Sequence, residues 1–253
     1  MKCVTTKRSI GEVSHTGGFT LIELLVVISI IGILASLVVG VSGVAATKAR
    51  LSQSTALLHN VSTAIDSYHA DRGSYPPDSL NQDGTVNTVV NPLYYELTGA
   101  VYTDKRSYIS LAGSAEITRP TLNRFFGRDG FQNVSLNQSE VKGYLDVGAS
   151  EFGEISIDPS VRVLTAPIPW PQREIQGNYQ NVLGQSRSLE SLRPYQGNDS
   201  RFIGINPWQY RSSGLNRFNQ QSYDLWVDLV IGSKVYRVNN WSTQPKVFEA
   251  LPE

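Results

Sequence analysis

The sequence is poor in cysteine, histidine and charged residues. Its one cysteine is Cys3, and its three histidines are His15, His59 and His69. Residues 74–253 therefore hold no thiol for a disulfide and no histidine to act as a general base or a metal ligand. This absence excludes a disulfide-stabilised fold and a histidine-dependent catalytic triad from the larger, C-terminal part of the chain.

Charge is balanced as well as sparse. Lys+Arg and Asp+Glu both number 22, and charged residues make up 17% of the chain, against about 25% in typical soluble domains. The chain has no excess of positive charge that would favour nucleic acid as a partner. Because no phosphate-binding glycine loop, zinc spacing or GxSxG pattern occurs, catalysis could rest only on carboxylates such as Asp224, Asp228 or Glu151. We interpret these as solvated surface charges and predict that the protein is not an enzyme, with a membrane-anchored enzyme as the alternative.

What the sequence does contain is one long apolar run, from Phe19 to Val41, and no charged residue occurs between Leu24 and Thr47. A helix of this length covers about 33 Å, which is enough to cross a hydrocarbon core of about 30 Å. We therefore predict one transmembrane helix. The alternative, a helix buried inside a soluble protein, needs apolar surroundings that the polar remainder of the chain does not offer.

Basic residues near the run predict its orientation. Lys2, Lys7 and Arg8 precede it, so the positive-inside bias keeps the N-terminus in the cytoplasm, although Lys48 and Arg50 follow closely and offset part of that bias. The predicted location is thus the inner membrane, with a single span and a periplasmic or extracellular head.

Small residues at both ends of the run offer two cleavage sites. Gly17-Gly18 lies before the run, so a cut after Gly18 leaves the span attached, unlike the removal of a secretory signal. A cut near Ala45 and Ala46 would instead release a secreted head, and this remains the alternative.

Glu23 is an ionisable residue inside the apolar run, which makes it a functional candidate because an unpaired charge in a membrane is costly. Cutting the Gly18–Phe19 bond creates an α-amino group about one helical turn away. That amine could pair with Glu23 of the same chain or of a neighbouring subunit, and the second arrangement repeats without closing, which generates a fibre. The simpler alternative is that Glu23 only caps the helix start.

The segment Gly18-Phe19-Thr20-Leu21-Ile22-Glu23, followed by the apolar run, resembles the prepilin cleavage and methylation motif of type IV pilins and type II secretion pseudopilins. The resemblance covers about the first 50 residues. It implies that Gly18 precedes the cut, that Phe19 becomes the N-methylated first residue, and that Glu23 assists subunit docking. It also implies a prepilin peptidase, other pilin or pseudopilin subunits, an inner-membrane platform protein and an assembly ATPase as partners in building a helical filament.

The pattern after the run predicts an α+β fold in which a long N-terminal helix, its first half transmembrane, packs on an antiparallel-sheet head. Leu51, Leu58 and Ile65 form one apolar stripe, and Gly73 ends the helix near Arg72. The predicted segments are a leader (1–18), a transmembrane half-helix (19–41), an amphipathic half-helix (42–73) and a globular head (74–253).

Three local predictions concern the head. A hairpin with a two-residue turn is predicted near the C-terminus, because apolar and polar residues alternate from Tyr223 to Ile231. Gly232-Ser233 would form the turn, and Lys234 to Val238 the second strand. Pro92 to Leu97 is a short helical candidate, and the three prolines between Pro167 and Pro171 predict a surface loop.

The C-terminal stretches Tyr223–Trp226 and Asn240-Trp241 resemble major pseudopilins, which favours a secretion pseudopilus subunit. Those proteins bind calcium in the intervening loop, where this chain has few acids, so we expect no cofactor and leave calcium at Asp224 and Asp228 as a weak alternative. Two other functions remain open: a minor type IV pilin in adhesion or motility, and a membrane-tethered protein that binds glycans or other partners through its tryptophans, Trp170, Trp208, Trp226 and Trp241.

Overall fold

The computed structural model describes residues 19–103, 106–113, 116–157, 159–195, 199–215 and 217–251, without the side chains of residues 37–42 and 157. The chain divides into two compact units, Met1–Ala46 and Thr47–Glu253. The described helices are α1 (Leu21–Arg72), α2 (Leu93–Thr98) and α3 (Arg119–Phe126). The described strands are β1 (Ser79–Leu80), β2 (Val86–Asn87), β3 (Ala100–Tyr102), β4 (Ser107–Ser110), β5 (Glu116–Thr118), β6 (Val134–Ser135), β7 (Phe152–Ile157), β8 (Ser160–Leu164), β9 (Asn178–Gln180), β10 (Ser186–Ser188), β11 (Gln209–Arg211), β12 (Asp224–Ile231), β13 (Lys234–Asn239) and β14 (Lys246–Phe248).

The end of α1 confirms the predicted helix stop. Gly73 adopts a left-handed φ of 72°, and its N–H donates to the carbonyl of His69 at 2.8 Å. Glycine is the residue that takes this conformation without steric cost, which is why it closes so many helices. Arg72 and His69 in the last turn also complement the negative end of the helix dipole.

In the second unit, the C-terminal half of α1 supplies one side of the main core. The apolar stripe predicted from the sequence is buried, with Leu58 and Val61 each 4% exposed and Ile65 and Tyr68 fully buried. These side chains share the core with α2, whose six residues are all buried, and with Leu122 and Phe126 of α3. The amphipathic half-helix is therefore part of the head's core.

Five small sheets make up the strand content that the structure describes. Two have four strands, in the orders β5-β4-β3-β6 and β11-β12-β13-β14, and three are two-stranded hairpins. All pairs are antiparallel except β3 with β6. The predicted α+β class, with the helix packed on antiparallel sheets, is confirmed, and the parallel pair is an addition that the sequence pattern did not indicate.

The local predictions have mixed outcomes. The hairpin is confirmed: β12 and β13 pair from Trp226↔Asn239 to Ile231↔Lys234, around Gly232 at a φ of 68°. The short helix is also confirmed, as α2. The segment from Pro167 to Pro171 contains no strand, as predicted, but it is not simply a surface loop because Trp170 within it is only 1% exposed.

Candidate functional site

The first turn of α1 is closed by a reciprocal cap between Thr20 and Glu23. The backbone N–H and the hydroxyl of Thr20 both donate to Glu23 Oε2, at 2.8 and 2.7 Å, and the N–H of Glu23 faces Thr20 Oγ1 at 3.3 Å. This is a capping box, in which a threonine and a glutamate three residues later satisfy each other's free N–H groups. The simpler alternative for Glu23, a helix cap, therefore describes its contacts within this chain.

Glu23 is exposed and takes part in none of the ion pairs that join described side chains. The pairing of Glu23 with the Phe19 amine stays a prediction, since Gly18 and the leader lie outside the described residues. Phe19 itself comes just before the helix and is 77% exposed. A free amine at Phe19 would begin the chain one residue before the cap, close in sequence to the carboxylate.

The large apolar side chains described between Phe19 and Leu34 are exposed. Their exposed fractions range from 44% at Val27 to 87% at Leu21. A continuous apolar surface of this kind marks a region that lipid or another protein covers. Considering only the described residues, no helix is both long and apolar enough to cross a membrane.

The interpretation of Asp224 and Asp228 as solvated surface charges is wrong. Asp228 is 1% exposed and binds Arg237 through both carboxylate oxygens, at 2.8 and 2.7 Å. Burial raises the pKa of Asp228, while the arginine opposes that rise. Asp224 is fully buried and pairs with Arg211 at 2.8 Å. Both acids lie on β12, a strand with buried residues on both faces of its sheet. Because a buried carboxylate is costly without a partner, each acid pairs with an arginine.

These contacts bear on the calcium alternative. The oxygens of Asp228 are already held by an arginine, and those of Asp224 accept from Arg211 and from two backbone N–H groups. Calcium prefers six to eight oxygen ligands, several of them carboxylates. Within the described part of the chain, no group of three or more His, Cys, Asp or Glu residues could hold a metal ion.

Sequence reasoning missed two buried acids among the described residues, Asp78, which accepts from the backbone N–H groups of Ser212 and Ser213, and Glu96 on α2. The carboxylate of Glu96 accepts from the backbone N–H groups of Gln132 and Asn133, at 2.8 and 2.9 Å, and from the hydroxyl of Tyr68 at 3.0 Å. Burial raises the pKa of Glu96, and the three donors oppose that rise. The residue ties the end of α1 to the rest of the head. An acid between Leu93 and Leu97 in an apolar helix was the signal that could have indicated it.

The four tryptophans do not form one binding surface. Trp170 and Trp208 are each 1% exposed and belong to two separate core clusters. They cannot contact a ligand at the surface, so the proposed role is wrong for these two. Trp226 and Trp241 are half-buried, and their rings meet edge to face with centroids 5.8 Å apart.

Comparison with known proteins found a family model and a curated relative that are similar to parts of this chain. A model described as the prokaryotic N-terminal methylation motif matches residues 14–39. Fimbrial protein EcpC of Eikenella corrodens is 35% identical over 77 residues, which make up 30% of this chain and 49% of that protein. The chain thus spans about half the length of this curated relative. No solved structure matches the chain.

These two matches confirm the resemblance inferred from residues 18–23. The motif includes Gly18, Phe19 and Glu23, the three residues to which the sequence assigned processing and docking. The chain therefore carries a prokaryotic N-terminal methylation motif and is similar over part of its length to a fimbrial protein.

Proposed function

We propose that this chain, which carries the N-terminal methylation motif, is a structural subunit of a helical type IV pilin-like filament. A prepilin peptidase cuts after Gly18, Phe19 is N-methylated, and the segment from Phe19 to Val41 holds the subunit in the inner membrane until assembly. The observation that carries the proposal is the exposed apolar surface from Phe19 to Leu34, which lies within the matched motif. In a filament, the same surface is covered by the corresponding helices of neighbouring subunits.

Glu23 gains a second partner in this scheme. In the uncut chain its Oε2 atom is held by Thr20, and Oε1 accepts no hydrogen bond from a described residue. Cleavage creates a positive amine at Phe19, and a neighbour displaced by one step along the fibre presents that amine to the carboxylate. A charge pair of this type fixes the register of packed helices because a mismatched position leaves a charge unpaired in apolar surroundings.

The mature N-terminus tests the processing step. We expect intact-mass and peptide measurements on the protein from its native membrane to show a chain that begins with methylated Phe19. A Gly18→Val variant should remain at precursor length, whereas Gly17→Val, one residue further from the cut, should be processed. A mature chain that begins near Ala46, or that retains Met1 in assembled material, would contradict the proposal.

We further propose that the filament is the pseudopilus of a type II secretion system, in which a platform protein and an assembly ATPase extract subunits from the membrane. Support comes from the β12–β13 hairpin and from the Tyr223–Trp226 and Asn240-Trp241 stretches, which resemble major pseudopilins. The name of the fimbrial relative favours a second candidate, a minor type IV pilin in adhesion or motility.

Deletion of the gene separates these two candidates. A pseudopilus subunit is required for the release of secreted proteins into the medium, and its loss should leave surface fibres unchanged. Loss of fibres, twitching or surface attachment with normal secretion would instead identify a pilus subunit. Restoring the full-length gene controls for effects on neighbouring genes in either case.

A further inference from the structure

A groove of about 700 Å³ lies in the second unit, between α1 and the C-terminal strands. Its lining is mostly hydroxyl and amide side chains, and among the described residues that line it there is no lysine or arginine. The charged or titratable groups on its wall are Asp66, His59 and Tyr223. The amides of Asn219 and Asn240 bond within the protein, and the remaining hydroxyl and amide groups offer neutral donors and acceptors, whereas a site for phosphate or nucleic acid needs cations.

An exposed aromatic ring stands at the edge of this groove. Phe218 is 63% exposed, although it stacks on Trp241, a lining residue, with centroids 4.4 Å apart and planes 9° from parallel. Trp226 meets Trp241 edge to face. The outer face of Phe218 is therefore a flat apolar surface beside a polar channel. Aromatic faces carry partial negative charge and attract polarised C–H groups, while the nearby amides and hydroxyls bind O–H groups.

The backbone around Phe218 is held by Asp224, which is buried, and by Arg217, which is half-buried. Asp224 accepts the backbone N–H groups of Phe218 and Asn219, both at 2.9 Å. The guanidinium of Arg217 donates to four backbone carbonyls, those of Ser212 at 2.6 Å, Gln220 at 2.8 Å, Gly214 at 3.3 Å and Ser222. The ring is thus held in place before any ligand arrives, which reduces the entropy lost on binding.

Other occupants fit the groove less well. Peptides commonly bind by adding a strand to a free sheet edge or by filling an apolar groove. In the strand at this groove, β13, residues 235–237 pair with both β12 and β14, so the edge left free at the groove is only two residues long, Val238 and Asn239, before the chain turns. Apolar lining residues are few, namely Leu58, Val238 and Pro245 beside the aromatic rings.

We propose that this groove, with Phe218 at its edge, binds a neutral oligosaccharide. The apolar C–H face of one sugar ring packs on Phe218, and the hydroxyls of the adjoining rings lie along the amide and hydroxyl lining. The proposal concerns the head alone and does not depend on filament assembly, so it can fail while the proposed function holds.

Tryptophan fluorescence of the full chain tests this proposal, because Trp241 and Trp226 adjoin the groove. The protein is held in lauryldimethylamine oxide micelles, which contain no sugar, and is titrated with three neutral hexasaccharides: cellohexaose, hexa-N-acetylchitohexaose and maltohexaose. We expect saturable binding of at least one of them, weakened about tenfold or more in Phe218→Ala and retained in Phe218→Tyr. Leu215→Ala is the matched control, since Leu215 is 94% exposed in the same loop and does not line the groove.

Three results would overturn the proposal. The first is that none of the three hexasaccharides binds. The second is that Phe218→Ala binds as tightly as the wild type while its unfolding temperature is unchanged. The third is that an uncharged peptide of similar mass, such as a Ser-Gly-Asn repeat, binds with the same Phe218 dependence, which would make the groove a peptide site. If Phe218→Ala has a lower unfolding temperature than the wild type, Phe218→Leu provides the same comparison. Leucine keeps an apolar side chain at this position but removes the aromatic face.

Discussion

Replacing Glu23 by glutamine separates the two roles of this residue, because it removes the charge and leaves the helix cap intact. Thr20 donates its N–H and its hydroxyl to Glu23 Oε2 at 2.8 and 2.7 Å. A glutamine amide oxygen accepts both bonds, and glutamine serves as well as glutamate at this position of a capping box. The unassembled Glu23→Gln subunit should therefore be as abundant in the membrane as the wild type.

Assembly should fail in the same variant. Within the proposed filament, the Phe19 amine of each subunit would lose its counter-charge at every repeat. Truncating one partner of a desolvated charge pair weakens an interface about thirtyfold or more, and each subunit in the fibre carries that loss. We expect membrane-resident subunit at wild-type level and essentially no filament.

Thr20→Ala is the matched control. It removes the hydroxyl from the cap, which costs a helix about 1 kcal/mol, but it keeps the carboxylate available to a neighbour. Filaments sheared from cells, quantified by immunoblot against the membrane fraction, should therefore persist in Thr20→Ala and vanish in Glu23→Gln. If Glu23→Gln assembles normally while Thr20→Ala does not, the carboxylate acts only as a cap and the pairing with the amine is refuted.

Three further predictions concern the stability of the head. Asp228→Ala leaves Arg237 unpaired in a mostly buried position. We therefore expect the free energy of unfolding to fall by about 3–5 kcal/mol and the calorimetric unfolding temperature to drop by about 6–20 °C. Excess calcium or EDTA should leave the unfolding temperature of the wild type unchanged. In Glu96→Gln, the side-chain NH₂ group replaces an oxygen that accepts from a backbone N–H, so two donors face each other. The free energy of unfolding should fall by about 1–3 kcal/mol. Because burial raises the pKa of Glu96 above 4.5, urea unfolding at about pH 5 and about pH 8 should show the wild type losing stability as pH rises, and Glu96→Gln should lack that component. Gly73→Ala places a side chain at a φ of 72° and should cost about 1–2 kcal/mol in urea unfolding, with a smaller cost for Gly73→Asn.

Elements set by short-range patterns were predicted well from the sequence. The end of α1 at Arg72, the turn at Gly232 and the buried stripe through Ile65 each depend on a residue's own backbone preference or on a regular spacing. The N-terminal motif belongs to the same class, since its residues are contiguous and the residues on either side of the cut are neighbours in the chain.

The environment of the acids could not be predicted in the same way. Glu96 is held by Gln132 and Asn133, far along the chain, and Asp228 by Arg237 on the next strand. Whether an acid on a strand is solvated or buried depends on whether other elements cover that face of the sheet. The alternating sequence of β12 suggests one exposed face, but both of its faces are largely buried in the structure. The groove beside Phe218 likewise combines segments distant in sequence, so no local pattern indicated it.

The hold of Thr20 on Glu23 has a consequence for timing. Thr20 holds only Oε2 of the carboxylate, which leaves Oε1 for a neighbour, but in the proposed filament no amine exists at Phe19 until the leader is removed, so uncut copies would not join. In that scheme, removal of the leader would supply the cationic partner for this oxygen, and the peptidase would decide when growth of the fibre starts.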